Sequence, residues 1–172
     1  MLADLLLRVH GSQFADATMS RIAGPASHMP RVLIVDDHAF IRRGIQSILN
    51  SSHGWEFCGE AENGIAAIRM AAELKPDVII MDVSMPGLNG LEATRVIHEA
   101  QPHIKILLLS LHQSVEILRS AFRVGAQGYL LKSEAEQELL RALGMITDAQ
   151  IYISPKVDND DAQGILGEAS VR

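Results

Sequence analysis

Cysteine is nearly absent: among 172 residues there is one, Cys58. A lone thiol excludes an intramolecular disulfide and a cysteine-built zinc cluster. Long apolar stretches are missing too. The longest runs reach four or five residues, far below what a membrane-crossing helix needs. Nor is there an excess of positive charge. Fifteen Lys and Arg stand against 21 Asp and Glu, a formal net charge of -6. An acidic surface repels phosphate backbones, which disfavours nucleic-acid binding by bulk charge. What is present is 48% hydrophobic residue, enough to bury a real core in one ordinary domain with modest extras. The expected setting is cytoplasmic.

Residues 1–29 stand apart from the rest. Leu2, Leu5, Leu6 and Val9 have helical spacing, but Asp4 and Arg8 interrupt the apolar stretch that a secretory signal requires. The segment reads as a leader outside the domain, disordered or upstream sequence, with a short amphipathic partner helix as the alternative. From Arg31 the pattern becomes regular. Val32 to Val35, Val78 to Met81 and Ile106 to Leu109 are continuous apolar runs, as suits strands covered on both faces. Trp55 to Ala61 and Gln127 to Leu131 are weaker strand candidates. Helical periods lie between them: Ile41, Ile45, Ile48 and Leu49; Ile65, Ile68 and Ala72; Leu118, Ala121 and Phe122; Leu139, Leu143 and Ile146. Ser133 with Glu136 predicts a capping box at the last helix. Pro86-Gly87 and Asn89-Gly90 mark a turn before the third. This alternation over residues 31–146 predicts an α/β fold, one five-stranded parallel sheet with helices on both faces. Residues 148–172 hold five acids and two bases and read as an acidic tail or truncated linker, with Ile151, Tyr152 and Ile153 docking on the domain.

In open parallel sheets, ligands sit beyond the carboxyl ends of the strands. The first apolar run ends in Asp36-Asp37, the third strand in Asp82, the fourth in Ser110 and the last in Lys132. Singly, each is an ordinary cap or surface residue. Together they deliver three carboxylates, a hydroxyl and an ammonium to one rim. Three carboxylates in one pocket repel one another, and a hard cation with a preference for oxygen, Mg²⁺ above all, resolves that conflict. A carboxylate beside such a cation can attack a phosphoryl group and form an acyl phosphate. The constellation reads as a phospho-aspartate site.

Val35-Asp36-Asp37-His38, Met81 to Gly87, Ser110 and Gly128 to Lys132 together resemble a response-regulator receiver domain of the CheY-like kind, over residues 30–147. Asn63-Gly64, Gly90-Leu91-Glu92 and Gly125 to Tyr129 are most similar to the NarL/FixJ (LuxR-type) subgroup, which usually carries a C-terminal helix-turn-helix domain. The resemblance implies a flavodoxin-like sheet of order 2-1-3-4-5 with five flanking helices, and a role in two-component phosphorelay signalling. Asp82 would be the phospho-acceptor, taking its phosphoryl group from a sensor histidine kinase. Asp36, Asp37, Asp82 and the backbone carbonyl of Ser84 would hold Mg²⁺ or Mn²⁺. Lys132 would pair with phosphoryl oxygens, Ser110 would swing in to bond them, and Tyr129 would follow by turning inward. Ser84 and His112 are similar to positions that tune dephosphorylation. The face of the fourth helix, fifth strand and fifth helix would switch and support a homodimer. Turnover is expected only as self-phosphorylation and autodephosphorylation. The stretch after the last helix has neither the length nor the basic surface of a helix-turn-helix. No direct DNA binding and no membrane contact are expected of this chain. Two alternatives stand beside this reading: a Mg²⁺-dependent phosphatase of the haloacid-dehalogenase kind, which normally has a second Asp where Ser84 stands, and a degenerate receiver acting only as a binding module.

Overall fold

Alternate residues of each apolar run go to opposite faces of one sheet, and both faces are covered. The computed structural model describes residues 28–157 and Gly164. Its elements are β1 (Arg31–Val35), α1 (Ala39–Asn50), β2 (Glu56–Ala61), α2 (Gly64–Leu74), β3 (Val78–Asp82), α3 (Gly90–Ala100), β4 (Lys105–Ser110), α4 (Val115–Arg123), β5 (Gly128–Leu131), a 3-10 turn (Lys132–Glu134), α5 (Ala135–Thr147) and β6 (Tyr152–Ile153). All neighbouring strands run parallel, in the order β2-β1-β3-β4-β5-β6. The five expected strands and their order are present, and β6 extends the sheet by one short strand beside β5.

Val32, Ile34, Ile80, Leu107, Leu109 and Leu130 meet Ile45 and Leu49 of α1 and Leu139, Leu143 and Ile146 of α5. Leu33, Val35, Ile79, Met81, Leu108 and Tyr129 meet Ala67 of α2, Ile97 of α3 and Leu118 of α4. Period-two side-chain alternation sends one strand into two cores at once, and each fully buried aliphatic contributes about 1.5–3 kcal/mol. The β1–β2 register slips between Val32 and Leu33, which pair with Phe57 and Gly59. Cys58 is the unpaired residue of that bulge. It is a free thiol, half-buried, and burial pushes its pKa up.

Three helices open on side-chain caps. Asn63 accepts the Ala66 N–H at α2, Ser114 accepts the Ile117 N–H at α4, and Asn89 forms a reciprocal capping box with Glu92 at α3. The box expected from Ser133 and Glu136 does not form. Ser133 lies inside the 3-10 turn, α5 begins at Ala135, and Glu134 takes the N-cap position without a capping bond. Its carboxylate instead accepts the Ser154 hydroxyl.

Tyr152 and Ile153 pair with Gly128 and Tyr129, so the expected docking of this stretch takes the form of a strand. The leader expected at residues 1–29 and the tail expected at 148–172 fall mostly outside the described residues. Among the described residues, no helix is long and apolar enough to cross a membrane.

Candidate functional site

The sheet ends where the apolar runs end, so the polar residues that follow share one rim. Asp36 and Asp37 leave β1, Asp82 closes β3, Ser110 closes β4 and Lys132 follows β5. The order β1-β3-β4-β5 makes these strands successive neighbours. Residues up to 96 positions apart thereby come into contact, Lys132 Nζ lying 2.6 Å from Asp36 Oδ2. The same ammonium lies 2.9 Å from Asp82 Oδ2. Asp36 is fully buried and Asp82 and the Lys132 side chain nearly so.

Burial raises the Asp82 pKa. The hydrogen bond and charge of Lys132 oppose that rise, and the charge of Asp36 adds to it. For Lys132 burial acts downward, but bonding to Asp36 and Asp82 and their charges outweigh it, and its pKa is raised. One ammonium thus serves two carboxylates. Asp82 Oδ1 also accepts the Ser84 N–H at 3.2 Å. Asp36 Oδ1 accepts the His38 N–H at 2.8 Å, and the Asp36 carbonyl accepts from Arg42 at 2.7 Å.

Asp37 is different. Its Oδ1 is a buried acceptor without a hydrogen bond, although His38 Nδ1 lies 2.8 Å away, a near approach lacking bond geometry. Ligand atoms of Asp36, Asp37, His38 and Asp82 all fall within 4.8 Å of one another. Three carboxylates, one orphaned oxygen and a single ammonium leave negative charge uncompensated. A hard divalent cation fits this oxygen-rich donor set. His38 occupies the N-cap position of α1 and is exposed, and it also borders the carboxylates.

Ser110 and Tyr129 converge on a backbone unit, that of His112. Ser110 Oγ donates to the His112 carbonyl and accepts the His112 N–H, both at 3.1 Å. The Tyr129 hydroxyl donates to the same carbonyl at 2.7 Å. Its ring is fully buried, in the inward position, and burial raises the phenol pKa while a bond with Ser110 acts the other way. His112, similar by sequence to a position that tunes dephosphorylation, takes part in these bonds through its main chain. Nothing in the sequence marks the bonds that Arg42, Glu134 and Ser154 make in this region. Arg42 follows Asp36 by six residues, and only a helix start at that point brings its guanidinium back to the Asp36 carbonyl.

Residues 32–144 match the model of the response regulator receiver domain. The response regulator GacA of Pseudomonas aeruginosa is 39% identical over 129 residues, covering 75% of this chain and 60% of that protein. The transcriptional regulatory protein DegU of Brevibacillus brevis is 35% identical over 130 residues, covering 76% of this chain and 55% of that protein. The chain thus spans between 55% and 60% of the length of these curated relatives. Among solved structures, a two-component response regulator of the LuxR family from Aurantimonas sp. SI85-9A1 superposes with a TM-score of 0.73 at 34% identity, covering 83% of this chain and 99% of that one.

Proposed function

This chain belongs to the response regulator receiver family, and on that premise we propose that Asp82 accepts a phosphoryl group from a sensor histidine kinase in a two-component phosphorelay. The observation that carries the proposal is the Lys132 ammonium held between Asp36 and Asp82 at the carboxyl ends of the strands. An Asp82 oxygen attacks phosphorus, the bond from phosphorus to the donor imidazole nitrogen breaks, and an aspartyl phosphate and a free imidazole result. Asp36, Asp37, Asp82 and the Ser84 carbonyl would hold Mg²⁺. When bound, that ion neutralises carboxylate charge and stabilises charge on the phosphoryl oxygens. Lys132 lies beside the acceptor oxygen and supplies a cation to the incoming group. Ser110 exchanges its bonds to His112 for a bond to a phosphoryl oxygen. The inward position to which Tyr129 is expected to turn is one it already holds here, on the His112 carbonyl, and keeps. The added charge recruits a donor and biases a surface between two arrangements.

That surface is α4, β5 and α5, where a homodimer would form; the kinase is the other partner. The domain would extend over residues 30–147, act in the cytoplasm, and turn over only its own phosphoryl group. A transcriptional output would belong to sequence beyond this domain, as the relatives' lengths suggest. The hydrolase alternative is the weaker one, because Ser84 provides no acid-base carboxyl two residues after Asp82.

Incubation with Mg²⁺ and a small acyl phosphate, followed by intact mass measurement, tests the reading. A single phosphoryl adduct that disappears in Asp82→Asn is expected. No adduct on the folded wild-type protein would overturn it.

A further inference from the structure

The chain after α5 is fastened to the switch region by bonds that the phosphoryl chemistry does not use. Ala149 turns it with φ at 58°, a left-handed conformation that residues bearing a Cβ rarely adopt. The segment then runs beside β5. The Tyr152 N–H donates to the Gln127 carbonyl at 3.1 Å, and the Ser154 N–H to the Tyr129 carbonyl at 2.9 Å. The Ser154 hydroxyl donates to the Glu134 carboxylate and accepts the Leu131 N–H at 3.0 Å. The Lys156 N–H points to the same carboxylate at 3.4 Å. Glu134 and Ser154 are both buried, and Glu134 closes the turn that Lys132 opens.

Side chains divide about this segment. Tyr152 packs on the α5 side, its hydroxyl donating to Glu138 Oε2 at 2.8 Å. Ile153 and Val157 belong to the apolar cluster that contains the Tyr129 ring, and Ile153 is the ladder partner of Tyr129. The segment therefore meets the switch tyrosine twice, by the bond from Ser154 to its carbonyl and by the ladder pairing with Ile153. A buried carboxylate and a buried N–H are costly to leave unpaired, which holds the segment down through Ser154. The left-handed residue at its hinge acts in the opposite sense.

We propose that residues 151–157 are a releasable strap that keeps Tyr129 inward, with Glu134 and Ser154 as the positioning residues of its clasp. Closed, the strap holds Ile153 and Val157 in the apolar cluster of the Tyr129 ring and completes the β5 edge. Open, it withdraws them, and the ring becomes free to leave. The strap thus links the Tyr129 position to the chain that continues beyond the domain.

The full chain carries two tyrosines, Tyr129 and Tyr152, one on each side of this coupling. Uniform fluorotyrosine labelling gives two fluorine resonances, assigned by Tyr152→Phe. Ser154→Ala is expected to raise the exposure of both rings to a paramagnetic solute together, by about fivefold for the loss of one hydrogen bond. Ala149→Gly, which only relieves the hinge, is expected to lower the exposure of both and slow amide exchange at Tyr152 and Ser154. Exposure of Tyr152 with Tyr129 still protected in Ser154→Ala would overturn the coupling. Unchanged exposure in Ser154→Ala would overturn the clasp. If Ser154→Ala does not fold, Ala149→Gly decides, and unchanged exchange there counts against the strap. No phosphoryl donor is involved, so the outcome is independent of the role given to Asp82.

Discussion

Lys132 sits between two buried carboxylates, and its removal leaves both uncompensated. Breaking a buried pair from one side costs about 3–5 kcal/mol. Lys132→Met is therefore expected to lower the unfolding free energy by an amount in that range, measured by urea denaturation without divalent cation. Asp82→Asn should act in the opposite direction. Burial raises the Asp82 pKa, so its ionised form is disfavoured in the fold. The stability linked to its protonated form is complete below the unfolded carboxyl pKa and lost as pH rises through the folded one. At neutral pH the substitution removes a destabilising charge, and a higher urea midpoint is expected; a lower one would contradict the electrostatic account. The tyrosines obey the same sign at the alkaline end. Burial raises both phenols, and the bond from Tyr152 to Glu138 adds to its rise. Stability should hold up to the ordinary phenol range and fall above it. Tyrosinate absorbance is expected to appear together with unfolding, with no earlier step.

At the scale of elements, the α3 start matters most to the site. Its capping box joins Asn89 and Glu92, and a Cβ placed on Gly90 would overlap the backbone carbonyl of Asp82. Asn89→Ala is expected to cost about 1 kcal/mol in chemical denaturation. Gly90→Ala should cost more and slow phosphorylation, because the helix can clear the overlap only by moving β3 or itself. Much of this level was legible beforehand. Continuous apolar runs identified β1, β3 and β4, and the polar residue after each run located Asp36, Asp82 and Ser110. Strand β6 was legible only as Ile151, Tyr152 and Ile153 docking somewhere, since two residues carry no period. The start of α5 was misread because Ser133 and Glu136 satisfy a local rule. The tertiary bond from Ser154 to Glu134 is invisible to any window of sequence that short. The convergence on His112 was equally hidden, because main-chain acceptors leave no mark on residue type.

For the whole molecule, cation binding should be a stability measurement as well as a functional one. A ligand that binds only the folded state adds about 1.4 kcal/mol at ten times its dissociation constant. Adding Mg²⁺ is expected to raise the thermal midpoint, a chelator to reverse the gain, and Asp37→Asn to abolish most of it. An unchanged midpoint in the wild type would mean that the orphaned Asp37 oxygen has another use.

The all-parallel order β2-β1-β3-β4-β5-β6 has a temporal consequence. Parallel neighbours cannot be joined by a hairpin, so each pairing waits for an intervening helix to close a loop. The acids arrive on β1 and β3, but the ammonium that balances them is 96 residues beyond Asp36. A chain still on the ribosome, or one stalled with only its first strands paired, holds carboxylates without their counter-charge. On the role proposed for Asp82, phosphoryl acceptance waits for β5 to join the sheet, because only then does Lys132 reach the carboxylates.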